Sequence, residues 1–197
     1  MPRKAQPSTR GKIVSAAWKL FYEQGYEHTT VEDILALSGT SKGTFYHYFE
    51  GKDALLGTLS VLFDEKYAEL MPTIPDGENA LDTLAWLNRE LFAMIDASIP
   101  LELLARLLST QLTVRGEKHL LDRDRLYFRL LREIVSRGQA RGEVRADMTV
   151  SEITKAYALM ERAMMYDWCL CGGVYNLSRY GAEMMGLFLQ SFRNPEK

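Results

Sequence analysis

Apolar residues recur at three- and four-residue spacing along nearly the whole chain, in runs divided by glycines and prolines. From about Gly11 to Gln24, Ile13, Ala16, Ala17, Leu20 and Phe21 share one face, and Gly25 ends the helix. Val31, Ile34 and Leu35 mark a short second helix that opens at Thr29 or Thr30, with Glu32 placed to close a capping box on Thr29. Gly39 stops it, and Thr40 and Ser41 offer an N-cap for a third helix over about Lys42 to Tyr48. After Lys52 a single helix is predicted over about Asp53 to Met71, striped by Leu55, Leu56, Leu59, Leu62, Phe63, Tyr67 and Leu70. Pro72, Pro75 and Gly77 then break the chain.

The remainder keeps the same period. Leu81, Leu84, Ala85, Leu91, Phe92 and Ile95 define one helix, Leu101, Leu104, Ala105 and Leu108 a shorter one, and Leu126, Leu130, Leu131, Ile134 and Val135 the next. Two more span about 151–170 and 177–192, separated by Gly172 and Gly173. On the first of them Ile153, Tyr157, Met160 and Met164 form one apolar row and Leu159, Ala163, Tyr166 and Leu170 another. A helix apolar on two sides has to be covered on both, by its own subunit or by a second copy. No strand-like alternation and no repeat occurs, so the chain reads as all-α with about nine helices.

The second and third helices, separated by one tight turn, have the layout of a helix-turn-helix. With Phe45 and Phe49 facing inward, Lys42, Gly43, Thr44, Tyr46, His47 and Tyr48 point outward. Lys, Thr and Tyr side chains suit phosphate and His can reach a base edge, so this face fits a nucleic-acid surface. A small helical hairpin with an ordinary polar face fits the spacing as well.

Charge narrows the reading. Net charge is −2, which argues against a generally basic nucleic-acid protein. Residues 1–52 nevertheless carry seven Lys or Arg against five acids, while residues 53–197 carry seventeen against twenty-one. Arg3, Lys4, Arg10 and Lys12 give the first residues the composition of a basic arm, taken as 1–10. No apolar run approaches the ~20 residues needed to cross a bilayer, and the N-terminus lacks a signal-peptide core, so a cytoplasmic protein without membrane contact is expected.

The run Thr29-Thr30-Val31, then Ser38 through Phe49, then Lys52-Asp53-Ala54-Leu55-Leu56 resembles the DNA-binding module of TetR-family transcriptional regulators. The resemblance reaches from Arg10 to about Leu70. Ser38 stands where the family usually has Ala, and Thr40 where it has an aliphatic residue. The resemblance implies an N-terminal three-helix DNA-binding domain over 1–52. It implies a C-terminal ligand-binding and dimerisation domain over 53–197, dimerising through the helices at about 151–170 and 177–192. The expected function is a repressor that binds a palindromic operator as a homodimer and is released by a small apolar or amphipathic effector. A helical partner-binding or structural protein without ligand response is the alternative. DNA contacts are expected from Thr30, Ser41, Lys42, Gly43, Thr44, Tyr46, His47, Tyr48 and Lys52. Trp86, Phe92, Met94, Met160, Met164 and Trp168 are candidates to line the effector cavity, being adaptable apolar side chains.

Catalysis finds little footing. His28, His47 and His119 lie far apart, and no nucleophile elbow, HExxH motif or convincing acid pair occurs. Cys169 and Cys171 are too few for a structural metal site and read as reduced thiols, so neither a metal nor a cofactor is expected.

Overall fold

The computed structural model describes residues 8–113 and 118–195. Among them the chain forms ten α-helices and two short 3-10 turns, with one isolated antiparallel bridge between Val144 and Arg193. The helices are α1 (Thr9–Gln24), α2 (Val31–Ser38), α3 (Lys42–Tyr48), α4 (Lys52–Leu56), α5 (Leu59–Leu70), α6 (Ala80–Ser98), α7 (Leu101–Thr113), α8 (Leu126–Ala140), α9 (Val150–Leu170) and α10 (Leu177–Gln190). Of the basic arm, Arg3 and Lys4 lie outside the described residues.

Two expectations need correction. The capping box of α2 is formed by Thr30 and Asp33, not Thr29 and Glu32. The Thr29 hydroxyl instead donates back to the Gly25 carbonyl at the end of α1, so it is not available to cap. The helix predicted over 53–71 is broken at Gly57–Thr58, where Thr58, Ser60 and Val61 donate to carbonyls three residues back. Counted as one interrupted helix, α4 and α5 restore the expected nine. The break has a packing cause. A Cβ on Gly57 would lie 2.4 Å from the His119 ring, and the Thr58 hydroxyl accepts the Trp18 indole N–H at 2.7 Å.

The helical body is organised around α6, which packs its length against α10 and its flank against α8. Gly181 makes that contact possible, since a Cβ there would sit 2.4 Å from the Phe92 ring. Asp96 of α6 caps α10 from outside, accepting the Leu177 and Ser178 N–H groups at 3.1 and 2.8 Å. The turn after α8 ties several elements: Glu143 accepts from Ala80 N, Arg145 forks onto Asp147, and the Arg145 guanidinium also reaches the Ser191 carbonyl.

The two rows of α9 separate except at Tyr166, which is half-buried and donates its hydroxyl proton to the Leu108 carbonyl at 2.6 Å. Ile153, Tyr157 and Met164 are buried and Met160 half-buried, whereas Leu159 is 63% and Leu170 83% exposed. On α10, Leu187 is 69% and Tyr180 43% exposed. Side chains of this kind left in water within one subunit form an unpartnered apolar face.

A candidate DNA-reading head and a cleft behind it

The head is built from α1 to α4 around Ile13, Ala17, Phe21, Ile34, Phe45, Phe49, Leu55 and Leu56, all buried. The turn from α2 to α3 depends on Gly39, whose φ of 66° and ψ of 28° lie in the left-handed region. Ser38 and Thr40, the two residues that depart from the resembled pattern, place their hydroxyls 2.7 Å apart across this turn. The departures thus satisfy each other. Ser41 caps α3 through Thr44 N at 3.2 Å, and its hydroxyl lies 2.8 Å from that of Thr44.

Above this packed base α3 presents Lys42, Gly43, Tyr46, His47 and Tyr48 to solvent, with Thr44 half-buried. Tyr46 is 49% and Tyr48 42% exposed. His47 and Tyr48 meet edge to face at 4.8 Å. Lys42 forms an ion pair with Glu32 at 3.3 Å, linking α3 to α2. Both partners are about two-thirds exposed, so water screens this pair and it adds little to stability.

Lys52 is placed differently from its expected companions. Its ammonium donates to the Tyr26 carbonyl at 2.7 Å and lies 4.1 Å from the Tyr26 ring centre, so most of its contact is inward. Tyr26 is a hub: its hydroxyl donates to Asp53, its ring packs on Phe21, and Arg106 of α7 approaches its face. Burial, followed by the Asp53 hydrogen bond, pushes its phenol well above the ordinary range. Arg106 also pairs with Glu27, and the Tyr22 hydroxyl donates to the Ser98 carbonyl at 2.7 Å. These contacts tie the end of α6 and the face of α7 to α1 and the turn that follows it.

The six apolar effector candidates do not converge. Trp86 lines a surface groove of about 520 Å³ with Thr73, Ile74, Pro75, Glu78, Asp82 and Thr83. Phe92 fills the notch of Gly181, and the Trp168 indole donates to the Tyr175 carbonyl at 2.8 Å, closing the connection between α9 and α10. Met94, Met160 and Met164 pack against the core.

A smaller cleft lies elsewhere, lined by Phe63, Tyr67, Leu91, Leu120, Arg125, Tyr127, Glu161, Arg162 and Met165, with about 20 Å³ of free volume. Glu161 is 4% exposed yet has no ion pair. Its Oε1 accepts from the Tyr67 hydroxyl at 3.3 Å and from Asn88 Nδ2 at 3.2 Å, and the Tyr127 hydroxyl also donates to it. Burial pushes its carboxyl above the ordinary carboxylate range, while these hydrogen bonds and Arg125 pull it back. Arg125 forks onto Asp64 at 2.9 and 3.1 Å. Two other arginines of the body are paired, Arg89 with Glu90 and Arg106 with Glu27. Arg162 lines the cleft. Glu161 was legible as a charge on a buried stripe, because the row through Ile153, Tyr157, Met164 and Trp168 passes directly over it.

The cysteines are unremarkable in this setting. Burial pushes the Cys169 thiol up to about 11, which keeps it protonated and unreactive. Cys171 is exposed. No group of three His, Cys, Asp or Glu among the described residues is arranged to hold a metal, and no helix there is long and apolar enough to cross a membrane.

Residues 13–59 match the family model of bacterial regulatory proteins, tetR family. The chain is 35% identical over 77 residues to the HTH-type transcriptional regulator TcmR of Streptomyces glaucescens, covering 39% of this chain and 34% of that protein. It is 34% identical over 94 residues to the HTH-type transcriptional repressor KstR2 of Rhodococcus jostii, covering 45% and 44%. These matches thus span less than half the length of either relative. Across 92% of the chain the fold resembles that of Thermus thermophilus FadR, a TetR-family repressor in complex with lauroyl-CoA, with a TM-score of 0.73, 22% identity and 93% of that structure covered. Residues 13–59 thus carry the DNA-binding module of the tetR family, and the chain continues from it into a helical body of the same fold as the solved repressor.

Proposed function

We propose that the protein is a homodimeric, ligand-released repressor that reads a palindromic operator and acts in the cytoplasm, by binding and not by catalysis. The observation that carries the proposal is the outward face of α3. Lys42, Tyr46, His47 and Tyr48 are exposed over a base, Phe45 and Phe49, that holds their backbone rigid. Thr30, Ser41, Gly43 and Thr44 complete the DNA-facing set, and Lys52 has its remaining N–H capacity for a phosphate. Reading two half-sites about one helical turn apart requires a two-fold partner. The exposed row of Leu159, Leu170, Tyr180 and Leu187 on α9 and α10 supplies a face for it.

The effector enters the body. The solved relative with lauroyl-CoA makes an amphipathic ligand a natural class here too. A ligand wedged against Phe63 and Tyr67 moves α5, and through the break at Gly57–Thr58 it moves α4, Tyr26 and the reading helix. Driving the population from 1:99 to 99:1 requires the ligand to favour the released state by about 5.5 kcal/mol.

A gel shift on DNA upstream of the protein's own gene tests the reading. The wild type is expected to shift it, with affinity falling steeply as salt rises. The double variant Lys42→Ala, Tyr46→Phe is expected to lose about tenfold or more at the same salt while melting at the wild-type temperature. Equal binding by the variant removes α3 as the reading helix. No wild-type shift at low salt favours a partner-binding protein instead.

A further inference from the structure

We infer that the cleft floored by Glu161 selects an apolar effector carrying a hydroxyl group, and selects against one that ends there in a carboxylate or an ether. The inference rests on the ligand-released reading above and names the ligand chemistry of its site.

The floor of the cleft has more acceptors than donors. Glu161 brings two oxygens with roughly four lone-pair directions. The donors aimed at it are the Tyr67 and Tyr127 hydroxyls and the Asn88 amide nitrogen. The Tyr157 hydroxyl also lies within hydrogen-bonding reach of Glu161, but its single proton goes to the Leu84 carbonyl at 2.9 Å. Arg125 is committed to Asp64 and to the Ser60 carbonyl. Behind the lining of the cleft, Asn88 donates to the same carboxylate, is fully buried, and its Oδ1 has no partner. The amide cannot be turned round to cure this, because Oδ1 would then face the carboxylate oxygen. A buried polar group without a partner is costly, so the group that completes this cluster has to donate.

Three kinds of ligand end group meet that requirement differently. A carboxylate is drawn by Arg162 at the wall of the cleft but brings only acceptors, so it leaves the floor without its donor and sets a like charge beside Glu161. An ammonium donates, but two guanidinium groups, Arg125 and Arg162, line the same cleft and oppose a third cation. A hydroxyl donates without charge. The free volume of about 20 Å³ accommodates about one oxygen atom at the floor. The apolar body of the ligand then has to displace Met165 and Leu120, which are flexible or on a short turn, and it meets Phe63, Leu91 and the tyrosine rings.

The test uses three matched probes, 4-phenylbutan-1-ol, its methyl ether and 4-phenylbutanoate, with the full chain, by thermal shift and titration calorimetry. The alcohol is expected to bind at least about tenfold tighter than the ether, the cost of leaving a charged acceptor without its donor, and tighter than the carboxylate. In Glu161→Gln, whose amide offers one acceptor fewer, the alcohol-to-ether ratio is expected to fall. Equal binding of alcohol and ether by the wild type, tightest binding of the carboxylate, or no binding of any probe overturns the inference. The wild-type ratio needs no variant to fold. Release of DNA is scored separately by gel shift. If the alcohol binds and the operator stays bound, the site stands and the ligand-release reading falls; if the alcohol fails while some other compound releases DNA, the reverse holds.

Discussion

Tyrosine is used in opposite ways at the two ends of this molecule. In the reading head, Tyr46 and Tyr48 keep 49% and 42% of their surface in water, and their hydroxyls meet no protein partner among the described residues. In the body, Tyr67, Tyr127 and Tyr157 are buried, with hydroxyls directed at Glu161 and the Leu84 carbonyl. Desolvation, followed by the charge of Glu161, raises all three buried phenols well above the ordinary range. An exposed phenol with a free hydroxyl is a recognition surface, whereas a buried one with a fixed hydroxyl is a structural strut and a sensor of what sits beside it. The head is therefore held by caps and a small core with its outer face in water, while the body is a closed network of buried hydrogen bonds.

The contrast is broken most severely at the subunit face. Replacing both Leu159 and Leu187 by Glu should turn a dimer into a monomer by analytical ultracentrifugation. It should also weaken binding to the full palindrome by about 100-fold or more, since each head then binds alone. An unchanged sedimentation coefficient would move the interface off α9 and α10.

A smaller effect separates the body from the head. Glu161→Gln should raise the melting temperature at neutral pH, by about 2–4 °C for each kcal/mol gained, and leave DNA affinity without ligand unchanged. The sign follows from the carboxyl being held above its unfolded range by burial. Such a group favours the fold below the unfolded value and loses that contribution as pH rises through the folded one. The gain in the variant should therefore fade as pH falls toward the ordinary glutamate value of 4.5. A gain that grows on acidification would contradict the assignment.

The smallest effect tests the head alone. Thr30→Ala removes the α2 cap and should cost about 1 kcal/mol, with Thr29→Ala affecting the α1 terminus instead. Equal losses of α2 protection in hydrogen exchange from both variants would blur the distinction.

Much of this was legible in the sequence, for physical reasons that differ by element. Helices α6, α8, α9 and α10 are long and strongly periodic, so spacing alone located them. The two rows of α9 were separable because period 3.6 assigns each residue to a face, and one face is left uncovered by a single subunit. The α2 box was misplaced by one residue, because both Thr29 and Thr30 can cap and only the Gly25 carbonyl decides between them. The break at Gly57–Thr58 was hidden since its causes, Trp18 and His119, are distant in sequence. The effector residues were hardest: Phe92 and Trp168 look the same in a sequence whether they line a cavity or fill a notch.

The hydrogen bonds from Tyr26 to Asp53 and from Trp18 to Thr58 bear on how this protein can be cut and recombined. A chimera joined at residue 52, where the composition suggests a seam, would supply half of each pair from a foreign chain. A graft that carries residues through Thr58 keeps both pairs intact. Swapping such heads therefore requires the whole of α4 and the Gly57–Thr58 break to travel with the head.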